Sequence, residues 1–265
     1  MRSTLGAART LVTGVAAFAL TASFSTRVQA DPINYGDFEG TTVWYRKVTE
    51  DANSVGDEPP LFGEPTVSGD TLDFDPVGFS ASAAGAGGND VTDGNLIFDV
   101  EAKPGTAIPT LRIHEAGDTT LAGFGSNATF TSVVTHLFVE IYEVDGVGID
   151  NINLQGDINF SPSGGDFGLG TDGSGGPTFS TSWYGQITFS LGQALTDAGI
   201  SYERGATKVS VNLDNVLVAL SEDGTTSVIA KKDFEGLKIE IPEPTTVAMA
   251  LCGLIGLALA HRRRS

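Results

Sequence analysis

The sequence predicts an all-β protein, an antiparallel β-sandwich of jelly-roll-like form that carries a C-terminal transmembrane helix. Three observations predict it. Apolar residues alternate with period two through most of the chain, the pattern of strands buried on one face. Glycine is abundant, 34 of 265 residues, and gathers with Ser, Thr, Asp and Asn between the alternating runs, where turns belong. The chain ends differently, on the apolar run Thr245 to Ala260 followed by Arg262, Arg263 and Arg264.

Taken in order, residues 1–30 read as a secretory signal. Arg2 and Arg9 form a basic start, Leu11 to Phe24 an apolar stretch, and Val28-Gln29-Ala30 a small-residue site that puts cleavage between Ala30 and Asp31. The apolar stretch, about 14 residues, falls short of the ~20 that a membrane span needs. The extracellular domain then covers 31–241. Strands are expected at 41–48, 94–101, 107–114, 129–135, 151–160, 178–191, 206–220 and 225–234. Two further runs alternate clearly. Leu137, Val139 and Ile141 oppose His136, Phe138, Glu140 and Tyr142, and Leu237, Ile239 and Ile241 oppose Lys238 and Glu240. Within 206–220 the phase of the apolar residues reverses, which predicts a β-bulge near Asp214-Asn215. One short helix is expected over Gly192 to Ala198, stopped by Gly199. The small-residue stretches 80–93 and 161–177 read as loops. One sandwich is the preferred organisation, and two small β domains meeting near 161–177 are the alternative.

Charge narrows the partners. Residues 31–241 hold nine Lys and Arg against 32 Asp and Glu, a net −23. Nucleic acid requires a basic footprint and is excluded, and an anionic membrane surface is disfavoured. The single cysteine, Cys252, lies in the apolar tail. The domain therefore has no disulfide, no thiol nucleophile and no cysteine metal ligand, and burial alone must hold it together.

In the tail, Pro242-Glu243-Pro244 follows the last expected strand. Two prolines cannot continue a ladder and keep the chain extended. Thr245 to Ala260 spans about 24 Å as a helix, somewhat short of a hydrocarbon core of about 30 Å. Arg262, Arg263 and Arg264 act as a cytoplasmic basic stop. This order of three elements over 242–265 resembles the PEP-CTERM sorting signal of Gram-negative bacteria. The resemblance implies processing by an exosortase-type protease, transient insertion in the inner membrane, and release to the cell surface or the extracellular matrix of a cell that makes exopolysaccharide, often with glycosylation of the cargo. The opening "DPINYGDFEGTTVWYRKVTED" also resembles the start of proteins bearing this tail. The stretches "NYGDFEG" and "VNLDNVLV" resemble the first and last strands of jelly-roll carbohydrate-binding modules, in which acidic residues of those strands hold a structural calcium.

Within 31–241, three constellations are candidates. Asp37, Glu39 and Asp214 would supply hard oxygen ligands for calcium if the first and last strands are neighbours. Trp44-Tyr45 and Trp183-Tyr184 each place two large aromatics side by side. Strand neighbours point to opposite faces, so one of each pair is expected in the core and the other outside, suited to stacking on a sugar ring. His114 beside Glu115, and His136 with Glu140, are the histidine–carboxylate neighbours. His136 and Glu140 stand about 13 Å apart on an extended strand, too far for a pair. Two histidines and no thiol make a zinc site improbable, and EF-hand, nucleophile-elbow and phosphate-loop patterns are absent. Asn127-Ala128-Thr129 is a formal glycosylation sequon, although the Ser/Thr/Gly loops are the better carriers of sugar. The expected function is structural or adhesive, in a biofilm or matrix, without enzymatic activity. The alternative is a carbohydrate-binding module.

Overall fold

A computed structural model describes residues 31–52, 57–170, 178–232 and 236–242. Among these the chain forms, in order, β1 (Ile33–Glu39), β2 (Val43–Ala52), β3 (Thr66–Ser68), β4 (Thr71–Phe74), β5 (Ser80–Ala84), β6 (Asn89–Ala102), β7 (Thr110–Gly123), β8 (Phe130–Val144), β9 (Val147–Asp157), β10 (Asn159–Ser161), β11 (Asp166–Gly168), β12 (Thr178–Ser190), α1 (Leu191–Asp197), β13 (Ala206–Leu220), β14 (Thr225–Lys231) and β15 (Leu237–Glu240). A single turn of 3-10 helix, Ser163–Gly165, precedes β11.

The strands make two antiparallel sheets that pack face to face. The first runs β1-β2-β6-β13-β8-β11, with β9 also along the far edge of β8; the second runs β10-β12-β7-β15-β4-β3, with β14 between β7 and β5. Each sheet takes strands from both sides of 161–177. Alternation builds the core. Val209, Val211, Leu213 and Leu217 of β13 face Leu111, Ile113 and Leu121 of β7 across it, with Phe62, Phe74, Phe79, Phe98 and Trp183 as the large fillers. Along β7 and β13 the residues between them point outward, while Glu115 of β7 and Asn215 of β13 are polar residues in the inward phase.

Five expectations change. The stretch 161–177 is not all loop: Asp166–Gly168 form β11, which pairs with β8 and buries Phe167. The stretch 80–93 is not a loop: Ala81 and Ala83 are buried in β5, which pairs with β14, and only 85–88 turn. Short side chains suit a strand pressed between neighbours, and composition alone read them as a loop. The expected strand 151–160 is two strands on different sheets. β9 pairs with β8 up to Asp157, Ile158 plunges into the core, and β10 starts on the other sheet beside β12. The bulge near Asp214-Asn215 does not exist, because β13 keeps unbroken register with both β6 and β8 through these residues. Asn215 occupies an inward position, and Val216, Val218 and Leu220 lie on the outer face. A polar residue in the core phase had mimicked a phase change. Finally, 225–234 is a shorter strand, ending at Lys231.

The helix is α1, and it ends as expected. Gly199 adopts φ +73, a left-handed conformation that glycine enters without a Cβ penalty. The Gly199 amide donates to the Thr196 carbonyl at 3.0 Å and the Ile200 amide to the Leu195 carbonyl at 2.9 Å, the paired bonds of a Schellman stop. No helix among the described residues is long and apolar enough to cross a membrane. Ala30, Glu243, Pro244 and the run from Thr245 to Arg264 lie outside the described residues, so the cleavage and sorting expectations are carried by sequence; Asp31 and Pro242 are the described flanks.

Candidate functional site

Each aromatic pair splits across its strand. On β2, Tyr45 turns inward and is fully buried, its hydroxyl donating to the Asp70 carbonyl at 2.6 Å. Trp44 turns outward, but the Arg46 guanidinium lies 4.3 Å from its ring centre and Lys103 Nζ 5.2 Å. Arg46 is in turn held by Asp37 and Glu101, and Lys103 by Glu39. The indole face is therefore taken by cations. On β12, Trp183 is fully buried and Tyr184 is 64% exposed. Tyr45 and Trp183 must be withdrawn as sugar-stacking residues, since no ring in the core meets a ligand. Tyr184 is the open aromatic.

The surroundings of Tyr184 follow from register. Tyr184 stands opposite Ala116 of β7 and Ser161 of β10. Both neighbours are small, so the phenol ring is flanked by open space. One step along the strands, Asn159, Gln186, His114, Lys238 and Asp73 form a row across five strands. The next step brings Thr188, Arg112, Glu240 and Thr71 into line. Charges in these rows are paired: Arg112 Nη1 lies 3.7 Å from Glu240 Oε2, to which His114 Nε2 comes within 3.3 Å, and Lys238 Nζ lies 3.7 Å from Asp73 Oδ2. Tyr184, Gln186, His114, Asn159 and Lys238 rim a shallow groove of about 480 Å³. Such a face presents one apolar plate beside amides, an imidazole and paired charges.

The outer face of the first sheet is the second open surface. Phe138 is 51% exposed and stands in a row with Ile97, Asn212 and Gln155. A groove of about 240 Å³ runs between Phe138, Leu154, Asn153, Glu140 and Ser210. Asn151 donates to Glu140 at 2.7 Å. His136 does not meet Glu140; its Nδ1 lies 2.7 Å from Asp157 Oδ1 on β9.

The acidic trio does not converge. β1 and β13 are separated by β2 and β6, three strand spacings or about 14 Å. Asp37 accepts the Lys47 amide at 2.9 Å and Arg46 Nη1 at 3.0 Å. That backbone donor, then the guanidinium, holds its carboxyl below the usual range. Glu39 is paired with Lys103 at 2.7 Å. Among the described residues no group of three His, Cys, Asp or Glu is arranged to hold a metal ion. The calcium expectation on Asp37, Glu39 and Asp214 rested on neighbouring strands, and sheet order removes that premise.

His114 and Glu115 part company as well. His114 points outward, and Glu115 points into the core, where it meets Lys231, Asn215 and Thr135. Period-two reading had not marked this buried polar group, although one trace is visible: Asn215 sits among Val211, Leu213 and Leu217 in the inward phase of β13, while Lys231 shares the inward phase of β14 with Thr225, Ser227 and Ile229.

No family model and no curated protein matches the sequence. Among solved structures, the enzymatically active domain of tailspike protein 4 of bacteriophage CBA120 aligns at 10% identity over 74% of this chain and 18% of that one, with a TM-score of 0.19. The family 11 xylanase of Neocallimastix patriciarum aligns at 9% identity over 72% of this chain and 96% of that one, with a TM-score of 0.22. Likeness at this level carries no argument about this chain's activity.

Proposed function

We propose that this chain is an exported, exosortase-processed surface or matrix protein with a structural and adhesive role, and that it adheres to exopolysaccharide through the outer face of its second sheet. The sandwich is read as jelly-roll-like. The observation that carries the adhesive part is the exposed Tyr184 ring, flanked by Ala116 and Ser161 and bordered by the Gln186–His114–Lys238 row. A flat apolar ring edged by hydrogen-bonding groups matches a pyranose, which has an apolar face and a hydroxyl rim. A shallow groove, open along the strands, suits a chain polymer rather than a small molecule. Export and processing are supported by the two termini of the sequence.

A non-catalytic role fits both grooves. Glycoside hydrolysis takes two cooperating carboxyl groups. The first-sheet groove has Glu140. The second has Glu240, which is engaged by His114 and Arg112, while the Glu115 carboxylate points away from it into the core.

Co-sedimentation of the purified protein with the producing organism's own exopolysaccharide tests the reading, with calcium and with chelator in parallel. Saturable retention, equal in both buffers, is the expected result. Recovery of all protein in the supernatant at every polysaccharide concentration would remove the adhesive role.

A further inference from the structure

The core of this sandwich contains a lysine, an asparagine and a glutamate in mutual contact. Glu115 projects inward from β7, Lys231 ends β14, and Asn215 lies mid-strand on β13 in the opposite sheet; each is at most 2% exposed. Lys231 Nζ donates to Glu115 Oε2 at 2.7 Å. Asn215 Nδ2 donates to the same oxygen at 2.7 Å and to Oε1 at 2.9 Å. The attacking nitrogen and the amide it would attack are thus held on one carboxylate atom. Thr135 Oγ1 donates to Oε2 at 3.0 Å and accepts from Asn215 Nδ2. Asn215 Oδ1 is buried with no hydrogen-bond partner. Phe79, Phe62 and Trp183 wall the amine, their ring centres 5.2, 5.8 and 5.9 Å from Nζ.

As plain packing this group is a poor investment, since a buried ion pair is often no more stable than apolar residues of the same volume. As chemistry it is well arranged. We propose that Lys231 and Asn215 form an intramolecular isopeptide bond, with Glu115 carrying the proton, so that the two sheets become covalently joined. Transfer of a proton from the ammonium to Glu115 leaves a neutral amine with a free electron pair. Nζ attacks Asn215 Cγ and the Nζ–Cγ bond forms. The carboxyl passes its proton to Nδ2, the Cγ–Nδ2 bond breaks, and ammonia leaves. Nζ gives up its second proton to the carboxylate, and an amide carrying one N–H remains. Nothing is oxidised or reduced, and no co-reactant is needed.

Three physical terms favour the step. Shared contact with one carboxylate supplies proximity. Burial lowers the amine's basicity and favours its neutral, nucleophilic form. The aromatic walls keep out water, which would otherwise solvate the ammonium and hold it in its protonated form. The benefit fits a domain whose residues 31–241 contain no cysteine: a bond from β13 to β14 ties one sheet to the other where no disulfide is available.

The test is mass spectrometry of the protein expressed as the full chain and purified in its mature form. Trypsin normally cuts after Lys208 and Lys231. The bond is expected to block the second cut and to yield 209–232 lighter by about 17 Da, one ammonia. Subsequent cleavage after Glu222 is expected to leave 209–222 and 223–232 joined. Recovery of 209–231 at full mass would overturn the proposal. So would a light peptide whose halves separate after the second digestion, which places the ammonia loss at one residue. Glu115→Gln is expected to restore full mass and the cut after Lys231; persistence of the linked peptide in that variant would overturn the role of Glu115. If the variant does not fold, the wild-type digest still decides.

Discussion

Trp183 and Tyr184 are adjacent in sequence and have opposite fates. Trp183 is fully buried, and its register partner on β7 is Gly117. A Cβ on Gly117 would lie 2.0 Å from Trp183 Cζ2 and 2.3 Å from the Ala230 carbonyl. The missing side chain is therefore the slot that admits the indole. Trp183→Ala is expected to cost about 3–5 kcal/mol in urea unfolding. Gly117→Ala is expected to cost about 1–3 kcal/mol by overpacking, with the near-ultraviolet tryptophan signal disturbed; an unchanged midpoint in either variant would contradict this packing. Asp145 works at the surface. It accepts the amides of Glu203, Arg204 and Gly205 at 2.7, 2.8 and 3.0 Å, which hold its carboxyl below the ordinary value. A depressed folded-state value means that its contribution is present above the unfolded value, near pH 4, and is lost as pH falls through the folded one. Melting temperature is expected to fall from about pH 4 downward, and Asp145→Asn to make that fall shallower. A steeper acid limb in the variant would refute the assignment. That one of each aromatic pair faces outward was legible from period two. Which pair stays open was not: Arg46, two places along β2, shares the face of Trp44 by the same period, but Lys103 joins it over the ring from a position that no spacing rule connects to it.

Elements were legible where side chains obey one period. β8, β12, β15 and α1 follow from alternation and from Gly199. β13 shows where the rule misleads. Asn215 faces inward because Glu115, from the other sheet, waits to receive its amide. That partner is 100 residues away and leaves no local mark. The crossing at Ile158 is similar: its amide donates to Thr135 on β8 at 3.2 Å while its side chain enters the core, and the alternation continues through the change of sheet. β2 is tied to a neighbouring segment in another way. Glu50, fully buried, accepts the amides of Leu61, Phe62 and Gly63 and the Tyr35 hydroxyl, and so brings Phe62 over Lys231. Glu50→Ala is expected to lose several kcal/mol, since the buried amides of Leu61 and Phe62 and the half-buried one of Gly63 lose their acceptor. Retained stability in this variant would mean that 61–63 are anchored by packing alone.

At the scale of the whole molecule, the sandwich has one inner volume and two open faces of different character. The first-sheet face mixes exposed Phe138 and Ile97 with acids, and the second-sheet face sets Tyr184 among compensated charges. The excess of acid, −23 over 31–241, keeps the protein solvated and turns polyanionic partners away unless a neutralised strip receives them. The Arg112–Glu240–His114 and Lys238–Asp73 pairs provide such a strip. The most direct measurement is equilibrium binding of the purified protein to the producing organism's exopolysaccharide, compared among wild type, Tyr184→Ala and Phe138→Ala. The account predicts saturable binding that Tyr184→Ala weakens at least tenfold, about 1.4 kcal/mol, and that Phe138→Ala leaves within twofold. Full affinity in Tyr184→Ala, or loss confined to Phe138→Ala, would contradict it.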